Sequence, residues 1–142
     1  MSITARSRSR YQVEIQAGNH QFISDEPTSI GGDDAGPSPF DLLLASLASC
    51  TIITLQMYAG RKQWPLDGVE VQLNIRSDEQ VAPDGKKHRS SVIEMDLSYS
   101  GPLSMEQIER LNDIATRCPI HRTLTGDVKI LAKSAGATAV YP

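Results

Sequence analysis

The sequence has 142 residues and a net charge of −3, with 39% hydrophobic but only 5% aromatic residues. This length is typical of one domain, so we expect a single domain over 1–142 with flexible ends at about 1–9 and 134–142. The weak negative charge and the lack of a basic stripe argue against nucleic acid as a partner. A lean core favours association with a second copy, because a partner can bury apolar surface that one chain leaves exposed.

The N-terminal part of the chain is typical of a β-hairpin followed by a connector. Apolar and polar residues alternate over 11–17, Gly18-Asn19 is a turn signal, and 20–24 can return as the second strand. The glycine- and proline-rich stretch from Asp25 to Pro39 predicts an ordered connector. No apolar segment follows the first arginines, so we expect no secretory signal and place the chain in the cytoplasm.

A long helix is the clearest element of the sequence. Ser38 at the N-cap, Pro39 in the first turn and Asp41 at the third position predict a capped helix start, and the helix should continue to about 61–62. A helix that is apolar nearly all round is buried. The segment is barely long enough to span a membrane and contains several hydroxyl side chains, so we expect a buried central helix and no membrane partner. Its apolar residues are Leu42, Leu43, Leu44, Ala45, Leu47, Ala48, Ile52, Ile53, Leu55 and Met57.

The C-terminal half predicts a second hairpin and a second helix. Alternating apolar residues indicate strands over about 68–77 and 90–99, joined by a polar loop. Ser104 and Gln107 form a capping box that predicts a helix start.

Cys118-Pro119 should end this second helix and begin a short helix over 120–124, which Gly126 stops. Val128 and Ile130 alternate with polar residues and predict a last strand. The order of elements is that of an α+β fold.

The two cysteines, Cys50 and Cys118, are the candidate chemical groups. Cys50 lies midway along the apolar helix, where apolar surroundings suppress the thiolate. Cys118 is predicted at a helix N-cap, where the helix dipole favours the thiolate, and His121 and Arg122 add positive charge. Local chemistry therefore ranks Cys118 as the better nucleophile, while packing of both thiols in the core is the alternative. In a reducing compartment, a disulfide between them would be transient and redox-active.

A metal site is the other possibility for these residue types. Cys118 and His121 have the spacing of one half-site, and the chain also contains His20 and His88. No second cysteine or histidine pair has ligand spacing, so we expect no metal and no cofactor.

Two segments resemble the OsmC/Ohr family: Gly36-Pro37-Ser38-Pro39-Phe40-Asp41 continuing to Cys50, and Cys118-Pro119-Ile120-His121-Arg122. The resemblance covers roughly 11–131. It implies an intertwined homodimer in which two long central helices are wrapped by antiparallel sheets from both chains. It also implies a thiol-dependent peroxidase acting in oxidative stress defence. In that family the first cysteine attacks a hydroperoxide and the second resolves the sulfenic acid, so Cys50 would be peroxidatic and Cys118 resolving. We expect a dithiol as reductant, which the sequence does not identify.

The sequence departs from the family's peroxidases at the start of the long helix. Their glutamate, which orients an activating arginine, is replaced by Phe40, and the nearest acid is Asp41. Asp41 is therefore a candidate catalytic residue, with a purely capping role as the alternative. The activating arginine could be Arg6, Arg8 or Arg10. Asp25-Glu26-Pro27 resembles a feature of a related branch of the family, without an assigned role.

The sequence therefore predicts a homodimeric reductase of organic hydroperoxides that uses Cys50 and Cys118. Two alternatives belong to other classes of protein. One is a non-enzymatic dimer that binds a small apolar ligand, and the other is a thiol enzyme of a different reaction, such as acyl transfer, in which Cys118 is dispensable.

Overall fold

The computed structural model describes residues 1–133, so the expected flexible end at 134–142 lies outside the described residues. The N-terminal part forms a three-stranded antiparallel sheet in the order β1 (Ile3–Ser7), β2 (Val13–Ala17) and β3 (His20–Ser24). The predicted hairpin is confirmed, with Gly18 at its turn in a left-handed conformation of φ 58°. The segment 1–9, expected to be a flexible end, contains β1, and residues 3–7 pair with β2 in a regular register from Ile3 opposite Ala17.

The long helix α1 (Pro39–Lys62) has 24 residues and begins where the sequence predicts. The Ser38 hydroxyl accepts the Asp41 amide at 3.2 Å, and the Asp41 carboxylate accepts the Ser38 amide at 2.9 Å. This reciprocal capping box satisfies two backbone donors that have no partner inside the helix. Gln63 ends the helix in a left-handed conformation.

Among the described residues, a single stripe of α1 is buried, which differs from the expectation of a helix buried all round. The buried residues follow one another at a spacing of four, as Leu47, Thr51, Leu55 and Ala59. The other faces are partly or fully open, and Ile53 and Met57 are 54% and 63% exposed. By length and composition α1 could cross a membrane, and 22% of its most apolar window is buried. The remaining apolar surface of α1 is therefore uncovered within residues 1–133.

A long hairpin and two helices complete the described fold. The antiparallel strands β4 (Gly68–Val81) and β5 (Lys87–Ser100) form a second sheet. The helix α2 (Met105–Ala115) starts at the predicted Ser104–Gln107 capping box, and α3 (Pro119–Thr125) follows it. The core lies where α1 meets α2 and the hairpin, and its buried residues are Leu55, Leu111, Ile114 and Ala115.

The predicted last strand is not formed. Residues 127–133 have no regular secondary structure, and Val128 and Ile130 are exposed. Alternation of apolar residues supplies a strand with one apolar face, but a strand also needs a neighbouring backbone edge. The segment pairs with neither described sheet.

Candidate functional site

Cys118 occupies the N-cap of α3, as the sequence predicts. Its backbone is extended, Pro119 takes the first helical position, and its sulfur accepts the His121 amide at 3.2 Å. The thiol is fully buried, because the end of α2 and the start of α3 enclose it against α1. Cys118 is therefore held by its own helix start and removed from solvent within the chain.

The sulfur of Cys118 packs against Thr51 of α1. The Thr51 hydroxyl oxygen lies 3.7 Å from the Cys118 sulfur, and both side chains are fully buried. Sequence reasoning missed Thr51. The sequence did contain a signal for it, because Thr51 lies four residues from both Leu47 and Leu55 and so places a hydroxyl in the apolar stripe that faces the core.

Cys50 is the neighbour of Thr51 on α1. Successive helical residues are turned by about 100°, so Cys50 leaves the core stripe and is half-buried. Consecutive Cα atoms are about 3.8 Å apart, so the contact with Thr51 brings Cys118 to the turn of α1 that carries Cys50. Both cysteines are free thiols in this structure.

The face of α1 that carries Cys50 also carries exposed apolar side chains. Ile53 and Met57 follow Cys50 at spacings of three and seven, which places all three on one side of the helix. Both apolar side chains are more than half exposed. Within residues 1–133, Cys50 therefore lies on a partly open surface of α1.

Asp41 lies far from the two thiols. It precedes Cys50 by nine residues, which is about 13 Å along the helix axis. Its carboxylate accepts both the hydroxyl and the amide of Ser38, at 2.7 and 2.9 Å. These hydrogen bonds, with that from the Ser38 hydroxyl as the largest cause, lower the pKa of Asp41. The structure accounts for Asp41 as a cap, and its catalytic role stays a prediction.

Phe40 stands at the position of the family's glutamate, on the surface. It is 62% exposed and shares a shallow hollow with Ile75, Arg76, Ser77 and Ser91. A phenyl ring cannot orient an arginine through a salt bridge, so any activation of a thiol in this chain must use other groups.

Of the three candidate arginines, Arg10 is engaged elsewhere. Its guanidinium donates to the Asp33 carboxylate at 2.7 Å and to the Gly31 carbonyl at 2.9 Å. Arg6 lies on β1 and Arg8 follows it, both exposed. Within residues 1–133, none of these three arginines forms a hydrogen bond with Cys50 or Cys118.

The structure gives Asp25 a role in the connector. Its buried carboxylate accepts the amides of Glu26, Asp33 and Ala35 at 2.8 to 3.1 Å. Burial raises the pKa of Asp25, but these three hydrogen bonds and the charge of Arg10 outweigh it, and the pKa is lowered from its ordinary value of 3.8. The Asp25 backbone amide also donates to the Pro37 carbonyl at 3.2 Å. Asp25 thus folds the loop that positions the start of α1.

An apolar cavity of about 340 Å³ lies beside the thiol site. Polar side chains are found at Ser91, Thr116, His121 and Thr125, and neither cysteine lines it. Its apolar wall is formed by Leu47, Ile93, Met95, Leu97, Ala115 and Leu124.

The histidines do not form a metal site in the described part of the chain. Over residues 1–133, no group of three or more His, Cys, Asp or Glu side chains is arranged to hold a metal ion. His121 contributes its backbone amide to Cys118 and its side chain to the wall of the cavity.

The fold and the two thiols define an α+β protein whose long central helix carries a cysteine site. The sequence matches the family described as OsmC-like protein over residues 31–133, and the chain belongs to this family. The resemblance of the two cysteine motifs is thereby confirmed. Comparison with curated protein sequences gives no significant match.

Solved structures share the fold at low sequence identity. An OsmC-like protein from Mycoplasma pneumoniae is 24% identical, with a TM-score of 0.65 over 88% of this chain and 86% of its own. An organic hydroperoxide resistance protein OsmC from Legionella pneumophila is 20% identical, with a TM-score of 0.60 over 88% of each chain. An organic hydroperoxide resistance protein from Elizabethkingia anophelis is 16% identical, with a TM-score of 0.61 over 89% of this chain and 90% of its own. At these identities the likeness establishes the α+β fold.

Proposed function

We propose that this protein is a cytoplasmic, thiol-dependent reductase of organic hydroperoxides that works as a homodimer. The observation that carries the proposal is the placement of Cys118, whose buried sulfur packs on the residue next to Cys50. A buried thiol that packs against the turn of α1 carrying the other thiol suits a disulfide-forming pair. The names of the Legionella and Elizabethkingia proteins, which describe organic hydroperoxide resistance, support the same class of substrate.

The reaction would proceed in two thiol steps. The Cys50 thiolate attacks an oxygen of the hydroperoxide, the O–O bond breaks, and an alcohol leaves after taking up a proton. Cys50, now a sulfenic acid, is attacked by Cys118, which forms the disulfide and releases water. A dithiol of the cell then reduces the disulfide. We assign the first role to Cys50, as the resemblance to the OsmC/Ohr family implies, and the second role to Cys118, which is fully buried within the chain.

A second copy would complete the site. Cys50 shares its face of α1 with the exposed Ile53 and Met57. Pairing this face with a partner's helix would bury apolar surface and enclose Cys50 in the same contact, so association and catalysis would depend on one surface.

The cysteine variants test this assignment. Wild type mixed with one equivalent of tert-butyl hydroperoxide should lose the mass of two hydrogens per chain, reversibly with a dithiol. Cys118→Ser should consume one equivalent and stop at the sulfenic or a more oxidised state, whereas Cys50→Ser should react only as slowly as an ordinary thiol. Fast reaction of Cys50→Ser together with an inert Cys118→Ser would exchange the two roles. Wild type that reacts no faster than free cysteine would refute the peroxidase.

The cavity favours a second candidate function, binding of a small apolar ligand. Its wall is largely apolar and contains neither thiol, so occupancy would not need Cys50. Binding of a fluorescent apolar probe that is equal in wild type and Cys50→Ser, combined with a lack of peroxide consumption, would favour this candidate.

A further inference from the structure

Thr51 differs from the other hydroxyl residues in the middle of α1. The hydroxyls of Ser46, Ser49 and Thr54 each donate to a carbonyl three or four residues earlier in the helix, at 2.7 to 2.8 Å. This is the usual arrangement for such residues in a helix. Thr51 is fully buried, and its hydroxyl instead contacts the Cys118 sulfur. The contact joins two elements that are distant in sequence, at the turn of α1 that carries Cys50.

The donor in this contact is fixed by the protonation state of Cys118. A thiolate has no proton to donate, so next to a Cys118 thiolate the Thr51 hydroxyl must be the donor. The sulfur already accepts the His121 amide at 3.2 Å. The thiolate would then accept two hydrogen bonds at a fully buried place, where hydrogen bonds to charged groups are strongest.

We propose that Thr51 is a positioning residue for the disulfide-forming step: its hydroxyl donates to the Cys118 thiolate and holds that sulfur beside Cys50. The inference rests on the proposed peroxidase function and adds a residue to it. In this step the Cys118 thiolate attacks the sulfur of the Cys50 sulfenic acid. The S–S bond forms, the S–O bond breaks, and the leaving hydroxide takes a proton to become water. Cys118 is oxidised as the sulfenic sulfur is reduced, so the step needs no further oxidant.

Three variants separate the Thr51 hydroxyl from its packing. Thr51→Val keeps the shape of the side chain but removes the hydroxyl, and Thr51→Ser keeps the hydroxyl but removes the methyl group. Thr54→Val is the matched control, because it removes a hydroxyl one turn away that donates to the backbone carbonyl of Cys50 and has no described contact with the Cys118 sulfur. Thermal unfolding followed by circular dichroism checks that each variant folds.

The measurement is a single turnover with one equivalent of tert-butyl hydroperoxide, stopped in acid or by dimedone and read by intact mass. Thr51→Val should form the Cys50 sulfenic acid at the wild-type rate but form the disulfide about tenfold more slowly, which corresponds to about 1.4 kcal/mol. Dimedone adducts should therefore accumulate in Thr51→Val. Thr51→Ser and Thr54→Val should resolve within about twofold of wild type.

Three outcomes overturn the inference while leaving the peroxidase intact. The first is disulfide formation at the wild-type rate in Thr51→Val. The second is disulfide formation in Thr51→Ser that is as slow as in Thr51→Val. The third is an equal slowing of disulfide formation by Thr54→Val.

If wild type forms no sulfenic acid, the proposed function fails, and Thr51 is then tested in a Cys50→Ser background. There, 2,2′-dithiodipyridine should react with Cys118 more slowly when Thr51→Val is added, and with Thr51→Ser at the unchanged rate. Equal rates for all three proteins would overturn the inference as well.

Discussion

The exposed apolar face of α1 gives the most informative test of the homodimer, through the substitution Met57→Glu. Met57 is 63% exposed within the chain, so a glutamate there is tolerated by the monomer fold. On a helix–helix interface the same carboxylate would be buried without a partner. Met105 at the start of α2 is 73% exposed and supplies the control Met105→Glu, which makes the same chemical change away from α1.

The size of the effect follows from the exposed area of Met57. Complete burial of a methionine side chain contributes about 1.5–3 kcal/mol, and the 63% that is still exposed corresponds to about 1–2 kcal/mol. Met57 occurs twice in a two-fold interface, so the lost burial amounts to about 2–4 kcal/mol per dimer. The dimer dissociation constant should therefore rise by roughly 30- to 700-fold from lost apolar burial alone. Desolvation of two carboxylates adds to this loss.

Analytical ultracentrifugation over a range of protein concentrations measures this change. Wild type and Met105→Glu should sediment as dimers at micromolar concentration, whereas Met57→Glu should shift towards a folded monomer. Peroxide consumption should fall in parallel, because Cys50 lies on the same face. A dimer of unchanged affinity in Met57→Glu would show that this face is not the interface, and a stable wild-type monomer would refute the homodimer itself.

Three further predictions concern the stability of the fold, measured by urea unfolding. The pKa of Asp25 is lowered despite its burial, so ionised Asp25 stabilises the fold above about pH 4, and this contribution is lost as the pH falls through its folded-state pKa. The loss of unfolding free energy in Asp25→Asn should therefore shrink in acid, and a loss that does not depend on pH would contradict this. Ser38→Ala should lower the free energy of unfolding by about 1 kcal/mol through loss of the cap; an unchanged value would mean that packing alone fixes the start of α1. Leu55→Ala, at a fully buried position, should cost about 2–5 kcal/mol, and a loss below about 1 kcal/mol would show that the core closes over the cavity.

The starts of the helices were predictable because their signals are local. Ser38 with Asp41, and Ser104 with Gln107, are separated by three residues, and each pair forms the reciprocal hydrogen bonds that its spacing predicts. Cys118 before Pro119 is a third signal of this kind, and the N-cap placement of its sulfur is confirmed.

The errors concern features that depend on distant parts of the chain. Strand β1 has an exposed, arginine-containing sequence, and only its pairing with β2 makes it a strand. Conversely, Val128 and Ile130 alternate with polar residues as in a strand, but their segment pairs with no strand of the two described sheets. The contact of Thr51 with Cys118 joins α1 to the start of α3, and no local pattern specifies which hydroxyl of α1 meets the second cysteine.

The length of the β4–β5 hairpin has a practical consequence. Fourteen residues per strand extend about 47 Å, compared with about 36 Å for the 24 residues of α1. Phe40 at the start of α1 lines the same hollow as Ser77, so the part of the hairpin beyond Ser77 extends past the helix. This tip has ladder hydrogen bonds and exposed ion pairs such as Lys87 with Glu79, but within residues 1–133 it packs on no core. A peptide epitope inserted between Asp84 and Gly85, within its exposed turn, would therefore leave the thiol site unchanged and provide an attachment point for immobilising the protein on a surface.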